Sequence, residues 1–261
     1  MVDVISGGRL ILGVGAGYAP EEFAAFGVSL KERGSRLDEA VPLIQRLWSE
    51  DNVTHEGRHY RITNATVSPR PVQRPPLWSS GWVEPAIRRA GRLGDAWLGG
   101  PSAMLDELAA CVRLFREART AAGREDGDVA LIRYVFVAET AERARAIAGP
   151  AFIRAFEETY FRWPHPVVTR PAGDLTIERL SQNRIILGDP ASCLRQIRRF
   201  QDAREARSCL SLNLAADPLV LLRVRYSPHG QTSAEAARPR TTRQARRPTD
   251  AIARASADSR A

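Results

Sequence analysis

The spacing of apolar residues predicts short strands that alternate with helices along most of the chain. Apolar runs with the length of buried parallel strands occur at residues 9–14, 77–80, 96–98, 131–137 and 209–214. Between them, apolar residues recur every three or four positions, which predicts helices over residues 31–49 and 86–93, after residues 102 and 140, and from residue 190. This alternation is typical of a parallel sheet covered by helices.

Capping residues and a glycine indicate where several of these helices begin and end. Ser102 and Thr140 are predicted N-caps, and Gly123 is placed to end the helix that Ser102 begins. Asp189 and Pro190 occupy the preferred cap and first-turn positions of the last helix.

The C-terminal part of the chain has a different composition. The apolar periodicity ends near Ala215, and from Ser227 onward Ala, Arg, Thr and Pro predominate. We therefore predict one α/β domain over residues 1–215 and an Arg/Ala-rich tail over residues 216–261 that has too little apolar surface to be ordered. The aromatic and proline-rich residues 160–174 are predicted to form an irregular insertion.

The net charge of +8 suggests nucleic-acid binding only until its distribution is considered. Seven arginines and three acidic residues lie in residues 227–261, so half of the excess belongs to that segment. Lys31 is the only lysine, which indicates a coding bias towards arginine and not a selected phosphate-binding patch. We predict no nucleic-acid partner.

Neither the apolar runs nor the cysteines indicate a membrane or an oxidising compartment. No run approaches the eighteen or so apolar residues of a membrane span, and the N-terminus lacks the pattern of a signal peptide. Cys111, Cys193 and Cys209 are far apart and not in metal-ligand spacing. We expect a cytoplasmic protein with no membrane partner.

The first candidate site is the segment Gly13-Val-Gly-Ala-Gly-Tyr18 that follows the first strand. Its bare backbone would let a flat ring or a phosphate approach closely. A dinucleotide fingerprint is disfavoured, because its third glycine would fall on Tyr18 and the carboxylates of Glu21 and Glu22 follow. A tight turn without a ligand is the structural alternative.

The second candidate site is the turn Ser79-Ser-Gly-Trp-Val-Glu84 before a predicted helix. Backbone N–H groups at such a turn, together with the helix N-terminus, suit a phosphate, and the Ser80 hydroxyl adds a donor. Glu84 would repel an anion if it pointed inward, and turns of this composition also occur without ligands.

A zinc site is the third candidate, because His55-Glu-Gly-Arg-His59 matches H-E-x-x-H. That motif binds zinc when both histidines lie on one face of a helix, whereas Gly57 and the β-prone residues around it predict a hairpin over residues 53–62. We predict no metal site, and a zinc hydrolase using His55, Glu56 and His59 is the distant alternative.

Three tryptophans, Trp78, Trp82 and Trp97, lie at or beside predicted strand ends. Aromatic side chains there can form the wall of a flavin-like site, although packing between helix and sheet is their commoner use. We predict that Trp82 and Trp97 face a ligand and that Trp97 contacts the substrate.

In content and order, the motifs of residues 5–97 resemble the central block of the luciferase-like monooxygenase family. They are Ile5-Ser-Gly-Gly-Arg-Leu-Ile-Leu-Gly-Val-Gly-Ala-Gly-Tyr18, Glu22-Phe-Ala-Ala-Phe-Gly27, Glu32-Arg33, Asp38-Glu39, Leu47-Trp48, Gly57-Arg-His-Tyr60, Pro69-Arg-Pro-Val-Gln-Arg-Pro-Pro76, Trp78, Ser80-Gly81, Arg88-Arg-Ala90 and Gly94-Asp-Ala-Trp97. The proline-rich connection is similar to that of members using coenzyme F420, a deazaflavin, and FMN-dependent relatives are the alternative.

The resemblance implies an oxidoreductase or monooxygenase that uses reduced F420 or FMN on a small organic substrate. It implies a TIM (β/α)8 barrel of the bacterial luciferase type, with the cofactor at the C-terminal ends of the strands and a homodimer as a possible assembly. The turn implied to hold the phosphate comprises Ser80, Gly81, Trp82 and Val83, and the loop beside the cofactor comprises Gly15, Ala16, Gly17 and Tyr18. Many relatives have Gly-Gly where this chain has Ser80-Gly81.

Family members carry three further strands before the position that matches Ile5. We therefore expect an incomplete barrel whose first three strands are absent from this sequence, together with their candidate proton donors. No catalytic residue is predicted for this reason. A non-catalytic or decayed fragment of such an enzyme is the alternative function.

Overall fold

The computed structural model describes residues 1–102, 104–162, 174–202, 210–213, 221–226 and 232–237. The chain divides into two compact units, Met1–Asp217 and Pro218–Ala261. None of the helices within the described ranges is long and apolar enough to cross a bilayer.

Short strands and helices alternate through the first unit. The helices are α1 (Val2–Ser6), α2 (Pro20–Ala25), α3 (Arg33–Ser49), α4 (Glu84–Leu93), α5 (Leu105–Ala121), α6 (Ala141–Ala155), α7 (Ile177–Ser181) and α8 (Pro190–Asp202), with a 3-10 turn at Leu30–Glu32 and a π-turn at Phe156–Tyr160. The strands are β1 (Leu12–Gly15), β2 (Val53–Glu56), β3 (Arg61–Ala65), β4 (Leu77–Ser80), β5 (Ala96–Gly99), β6 (Asp128–Val137), β7 (Ile186–Gly188) and β8 (Leu210–Asn213).

A parallel sheet organises this unit, in the order β1-β4-β5-β6-β7, with β8 paired to β6 as well. Its register places Gly15 opposite Ser80, Ser80 opposite Leu98, and Gly99 opposite Leu131. Because all of these pairs are parallel, the carboxyl ends of β1, β4 and β5 meet at one edge of the sheet. Both candidate loops are at this edge.

All five predicted core strands are confirmed, but the sheet contains a sixth strand that was not predicted. This strand, β7, has three residues and pairs with Val135–Val137, the second half of β6. Three residues followed directly by the Asp189 cap are too few to show the apolar pattern by which a strand is identified in a sequence.

The predicted helix caps have mixed outcomes. Thr140 Oγ1 accepts from Arg143 N at 3.1 Å, and Asp189 Oδ1 accepts from Ser192 N at 2.9 Å, so both caps are confirmed. The prediction for Ser102 was wrong, because α5 begins at Leu105 with Met104 as its N-cap. Ser102 is buried, and its carbonyl accepts from Arg184 Nε at 2.8 Å.

Apolar packing holds the helices against the sheet. The α4–α5 pair is especially close, since a Cβ on Gly91 would lie 2.6 Å from the Phe115 carbonyl oxygen. Arg119 closes the same corner, with Nη1 donating to Gly94 O at 2.7 Å and Nε donating to Glu125 O at 2.7 Å. A second apolar cluster surrounds Phe152 and Phe156 between α6, α7 and the far end of β6.

The H-E-x-x-H segment lies in the predicted hairpin, with β2 and β3 antiparallel. His55 Nε2 bonds to Glu39 Oε1 at 2.9 Å, whereas His59 Nε2 bonds to Ser35 Oγ at 2.8 Å. Each histidine thus has its own partner on α3. Within the described ranges, no group of three or more His, Cys, Asp or Glu side chains is placed to hold a metal ion.

The second unit contains two strands within the residues of the predicted tail. Strands β9 (Leu221–Tyr226) and β10 (Thr232–Ala237) form an antiparallel pair. Apolar residues and arginines alternate along residues 222–226 of β9, which is the period of a strand. The rest of the predicted tail lies outside the described residues, as does most of the predicted insertion, at 163–173.

The carboxylate of Glu39 anchors the hairpin to α3, and this contact predicts a pH dependence. It accepts from His55 Nε2, and from the backbone N–H groups of Tyr60 at 2.9 Å and His59 at 3.0 Å. The His55 hydrogen bond first, and then these N–H groups, lower the pKa of Glu39 from 4.5 to about 2. A lowered pKa contributes stability that is present above the unfolded value of 4.5 and is lost as the pH falls towards 2.

We expect Glu39→Gln to lower the free energy of unfolding at pH 7, and the difference from the unchanged protein to shrink below pH 4.5. Glu56→Gln is the control in the same hairpin, since Glu56 pairs with Arg61 and both side chains are about three quarters exposed, 74% and 75%. Its effect should be small at every pH. Urea unfolding from pH 7 to pH 3 measures both variants, and a Glu39→Gln difference that stays constant contradicts the anchoring role.

Candidate active site

Two loops meet at the carboxyl edge of the sheet, one after β1 and one after β4. Gly15 lies opposite Ser80 in the strand register, and a Cβ on Gly15 would be 3.9 Å from the Ser80 Cβ. A Cβ on Gly13 would meet nothing within 4 Å, and both glycines are exposed. Bare backbone therefore borders open space here, so a flat ring can approach the strand ends.

The loop after β1 needs glycine at its centre. Gly17 has φ +80°, and a Cβ there would lie 2.9 Å from the Phe23 ring. The adjacent Tyr18 side chain is 58% exposed at the same edge. Glu21 and Glu22 lie in the first turn of α2, where their carboxylates oppose a pyrophosphate, which is unfavourable for the dinucleotide alternative.

The turn after β4 is fixed by sterics and by one buried hydrogen bond. Gly81 has φ +156°, and a Cβ there would overlap the Ala86 Cβ, so only glycine fits. The Gly81 carbonyl accepts from Trp97 Nε1 at 2.9 Å. The Trp82 ring packs edge-on against Trp97, with centroids 5.3 Å apart and an interplanar angle of 89°. This turn therefore has one well-defined conformation.

The helix after this turn presents an N-terminus that suits an anion. Val83 is the N-cap of α4, and no side chain caps the helix. Glu84, which would repel an anion if it pointed inward, pairs instead with Arg88 one turn later, at 2.7 Å between Oε1 and Nε. The positive end of the helix dipole is thus left facing the turn.

Trp97 does not occupy the position predicted for it. Its side chain is fully buried, with 0% exposure, and its indole N–H is taken by Gly81. The strand register explains this placement, because Trp97 pairs with the buried Ser79 and shares its helix-covered side of the sheet. Trp97 supports the turn, and we withdraw the prediction that it contacts the substrate.

Arg133, in the middle of β6, is a site residue that the sequence analysis missed. It is 0% exposed, and its Nη1 donates to the Gly100 carbonyl at 2.6 Å. A Cβ on Gly100 would lie 3.1 Å from Trp82 Nε1, so Arg133 holds the backbone against which Trp82 packs. The sequence feature that could have identified it is a single arginine inside the apolar run of residues 131–137.

The burial of Arg133 is costly and incompletely compensated. Burial, and then the nearby charge of Arg184, lowers the pKa of Arg133 to about 10. Its guanidinium lies 4.6 Å from the centroid of the Phe200 ring, but Nε and Nη2 have no hydrogen-bond partner among the described residues. A charge kept in such a place indicates a role beyond packing.

A hydrogen-bonded pair of tyrosines is the second feature that the sequence analysis did not identify. Tyr134 on β6 and Tyr160 on the π-turn share a hydrogen bond of 3.1 Å between their hydroxyls. Burial, the Tyr134 hydrogen bond, and the charges of Tyr134 and Tyr18 raise the pKa of Tyr160 above its usual value. The Tyr160 phenol therefore lies near Tyr18, beyond the end of β5.

A parallel α/β sheet with an open, glycine-lined carboxyl edge is the arrangement of cofactor-binding α/β proteins. Residues 1–206 match the model of the luciferase-like monooxygenase family. The chain belongs to that family, and the predicted fold class, an α/β fold that forms part of a luciferase-type (β/α)8 barrel, is confirmed.

Two curated relatives are F420-dependent glucose-6-phosphate dehydrogenases. The protein from Kineococcus radiotolerans is 31% identical over 205 residues, which is 75% of this chain and 60% of that protein. The protein from Intrasporangium calvum is 32% identical over 214 residues, which is 77% of this chain and 63% of that protein. The chain therefore spans about three fifths of the length of these relatives.

Solved structures show the same fold. A monooxygenase from Streptomyces bottropensis superposes with a TM-score of 0.69 at 26% identity, covering 83% of this chain and 64% of that one. An F420-dependent secondary alcohol dehydrogenase, in complex with an F420–acetone adduct, gives a TM-score of 0.66 at 21% identity, covering 81% of this chain and 66% of that one.

The close contact at Gly81 predicts that this turn does not tolerate a larger residue. Gly81→Ala should reduce stability by about 2 kcal/mol or more, because it combines an unfavourable φ with a clash against α4. Gly123→Ala is the matched control, since Gly123 has φ +64° but a Cβ there would meet nothing within 4 Å. Its cost should be about 1 kcal/mol. Urea unfolding compares them, and equal losses would mean that the Ala86 contact has no effect.

Proposed function

We propose that the protein is an oxidoreductase that binds reduced coenzyme F420, or FMN in its place, at the carboxyl edge of the sheet and acts on a small organic substrate. The observation that carries this proposal is the meeting of Gly15 and Ser80 beside the fixed Gly81 turn and the uncapped α4. F420 is favoured over FMN because the curated relatives described above are named F420-dependent.

Each loop has a role that follows from its geometry. The phosphate lies against the turn Ser80–Val83, where the α4 dipole and the Ser80 hydroxyl stabilise negative charge. The flat ring lies along the loop Gly15–Tyr18, where no Cβ projects from Gly15. Arg133 holds the Gly100 backbone by a hydrogen bond, and Trp82, next to the turn, packs against that backbone.

Hydride transfer, or activation of oxygen in the case of a flavin, is the chemistry that the bound cofactor supplies. The described residues contribute binding, orientation and shielding from water. Tyr18 and Tyr160 are the proposed hydrogen-bonding groups on the substrate side, in place of Trp97. The raised pKa of Tyr160 keeps its phenol protonated at neutral pH, so it can donate a hydrogen bond to a substrate oxygen.

Buried thiols support a reducing compartment. Cys111 and Cys193 are free and buried, and burial raises the pKa of both, to about 11 for Cys193. We therefore propose a cytoplasmic location, with a homodimer as a possible assembly and no nucleic-acid partner. The curated relatives described above are named as F420-dependent dehydrogenases and so do not favour the zinc hydrolase alternative. The other alternative, a non-catalytic fragment, is tested by measuring cofactor binding.

Fluorescence titration with F420 and with FMN is the experiment for this function. Where the gene encodes residues upstream of Met1, the longer protein is titrated alongside the 261-residue chain, and we expect it to bind more tightly. Ser80→Asp should weaken binding about 10-fold or more, because it places a carboxylate beside the phosphate. Ser80→Gly should retain binding.

Ser29→Asp is the control, since Ser29 belongs to neither loop, is the exposed N-cap of the 3-10 turn Leu30–Glu32, and can be replaced there by aspartate, which also caps helices. It should leave the affinity unchanged. The absence of binding by every form of the protein would overturn the cofactor assignment and support the non-catalytic fragment. Equal weakening by Ser29→Asp and Ser80→Asp would overturn the placement of the phosphate.

A further inference from the structure

A cleft opens at the opposite end of the sheet from the candidate active site. Its volume is about 560 Å³, and its walls include Gln45, Arg46 and Trp48 of α3, Gln73 and Arg74 of the connection before β4, and Arg124 of the turn before β6. The connection and the turn both precede strands, so the cleft lies at the amino ends. The Leu77 N–H donates to Asp95 Oδ2 at 2.8 Å, which ties the first residue of β4 to the residue before β5.

Positive charge exceeds negative charge around this cleft. Arg74 and Arg124 share one acidic partner, with Nη2 atoms 2.7 Å and 3.1 Å from Asp95 Oδ1. Arg46 pairs with Glu50 at 3.0 Å, where both side chains are partly exposed. Three guanidinium groups are thus balanced by two carboxylates.

A fourth arginine lies close to Arg124, together with the carboxylates of Asp126 and Asp128. Arg119 lies behind Arg124, and its pKa is lowered first by burial and then by the charge of Arg124. The carboxylates of Asp95, Asp126 and Asp128 offset this effect in part. The positive charge of Arg124 therefore acts on Arg119.

Hydrogen-bond donors are also in excess. Among the described residues, Arg124 Nε is buried without a hydrogen-bond partner. Among the described residues, Arg46 donates to Glu50 through Nε, and Arg74 donates to Asp95 through Nη2. Their other N–H groups can donate to water or to a ligand. An acceptor-rich ligand would satisfy these donors.

We propose that this cleft is a second binding site, and that its ligand is a small polyanion carrying phosphate groups. Guanidinium groups bind phosphate by paired, charge-assisted hydrogen bonds, which ammonium groups cannot match in geometry. The half-buried Trp48 offers an apolar wall for the uncharged part of such a ligand. The volume lies within the usual range for small-molecule pockets, about 300–1,000 Å³, and is too small for a nucleic-acid duplex.

Calorimetric titration of the 261-residue chain with pyrophosphate, at constant ionic strength, tests this site. We expect one site with a Kd below about 1 mM. Arg46→Gln should weaken binding about 10-fold or more, because charge-assisted hydrogen bonds are lost. Among the residues that the structure describes, Arg46 pairs with Glu50 at the end of its own helix, so this variant is expected to fold.

Two controls locate the anion. Arg113→Gln removes the same charge from the exposed face of α5 and should leave the affinity unchanged. Ser80→Asp alters the candidate active site and should also leave it unchanged, so failure of this proposal is distinguishable from failure of the proposed function. A loss with Ser80→Asp but not with Arg46→Gln would place the anion at the active site and overturn the second site.

Tryptophan fluorescence gives an independent readout. Pyrophosphate should change the emission of the unchanged protein, and Trp48→Phe should remove that change while retaining calorimetric binding. Equal weakening by Arg46→Gln and Arg113→Gln, or no measurable heat, would overturn the proposal, because the interaction would then be unspecific or absent.

Discussion

The hydrogen bond from the Trp97 indole to the Gly81 carbonyl is the contact on which the candidate active site depends. Strand β4 has only four residues, so its register with β1 and β5 leaves little freedom in where the chain leaves the sheet. Gly81 must then turn the chain directly into α4, with a Cβ position that Ala86 already fills. The buried indole fixes the carbonyl of this turn from the helix side, and Trp82 packs on the same indole. Ser80 and the N-terminus of α4 are positioned as a result.

Much of this arrangement could be predicted from the sequence, because it rests on local patterns. Apolar runs bounded by glycine located five of the six sheet strands, and the hairpin that contains His55 and His59 followed from Gly57. The two candidate loops were identified from glycine placement, and the structure brings them together through the pairing of Gly15 with Ser80. The sequence order alone does not specify that pairing, and the family resemblance implied only that both loops lie beside one cofactor.

Other features could not be predicted, because they depend on contacts between distant segments. The orientation of Trp97 follows from its strand register with Ser79, which determines which side of the sheet it faces. The hydrogen bond between Tyr134 and Tyr160 joins a strand to a π-turn that has no sequence signature. Arg133 was visible as a charge in an apolar run, but its partner, the Gly100 carbonyl, belongs to the preceding β/α unit. Ser102 has the chemistry of a cap, yet Arg184 holds its carbonyl.

The corner closed by Arg119 has a consequence for the order in which the chain assembles. Its two bonds reach Gly94 and Glu125, so they close short loops within one continuous segment that contains α4, β5 and α5. Joining residues close in sequence costs little loop-closure entropy, and such contacts favour rapid folding. By contrast, pairing of Leu131 with Leu210 joins β6 to β8 across a long stretch of chain. The loop-closure entropy opposing the α4–α5 corner is thus smaller than that opposing the pairing of β8 with β6.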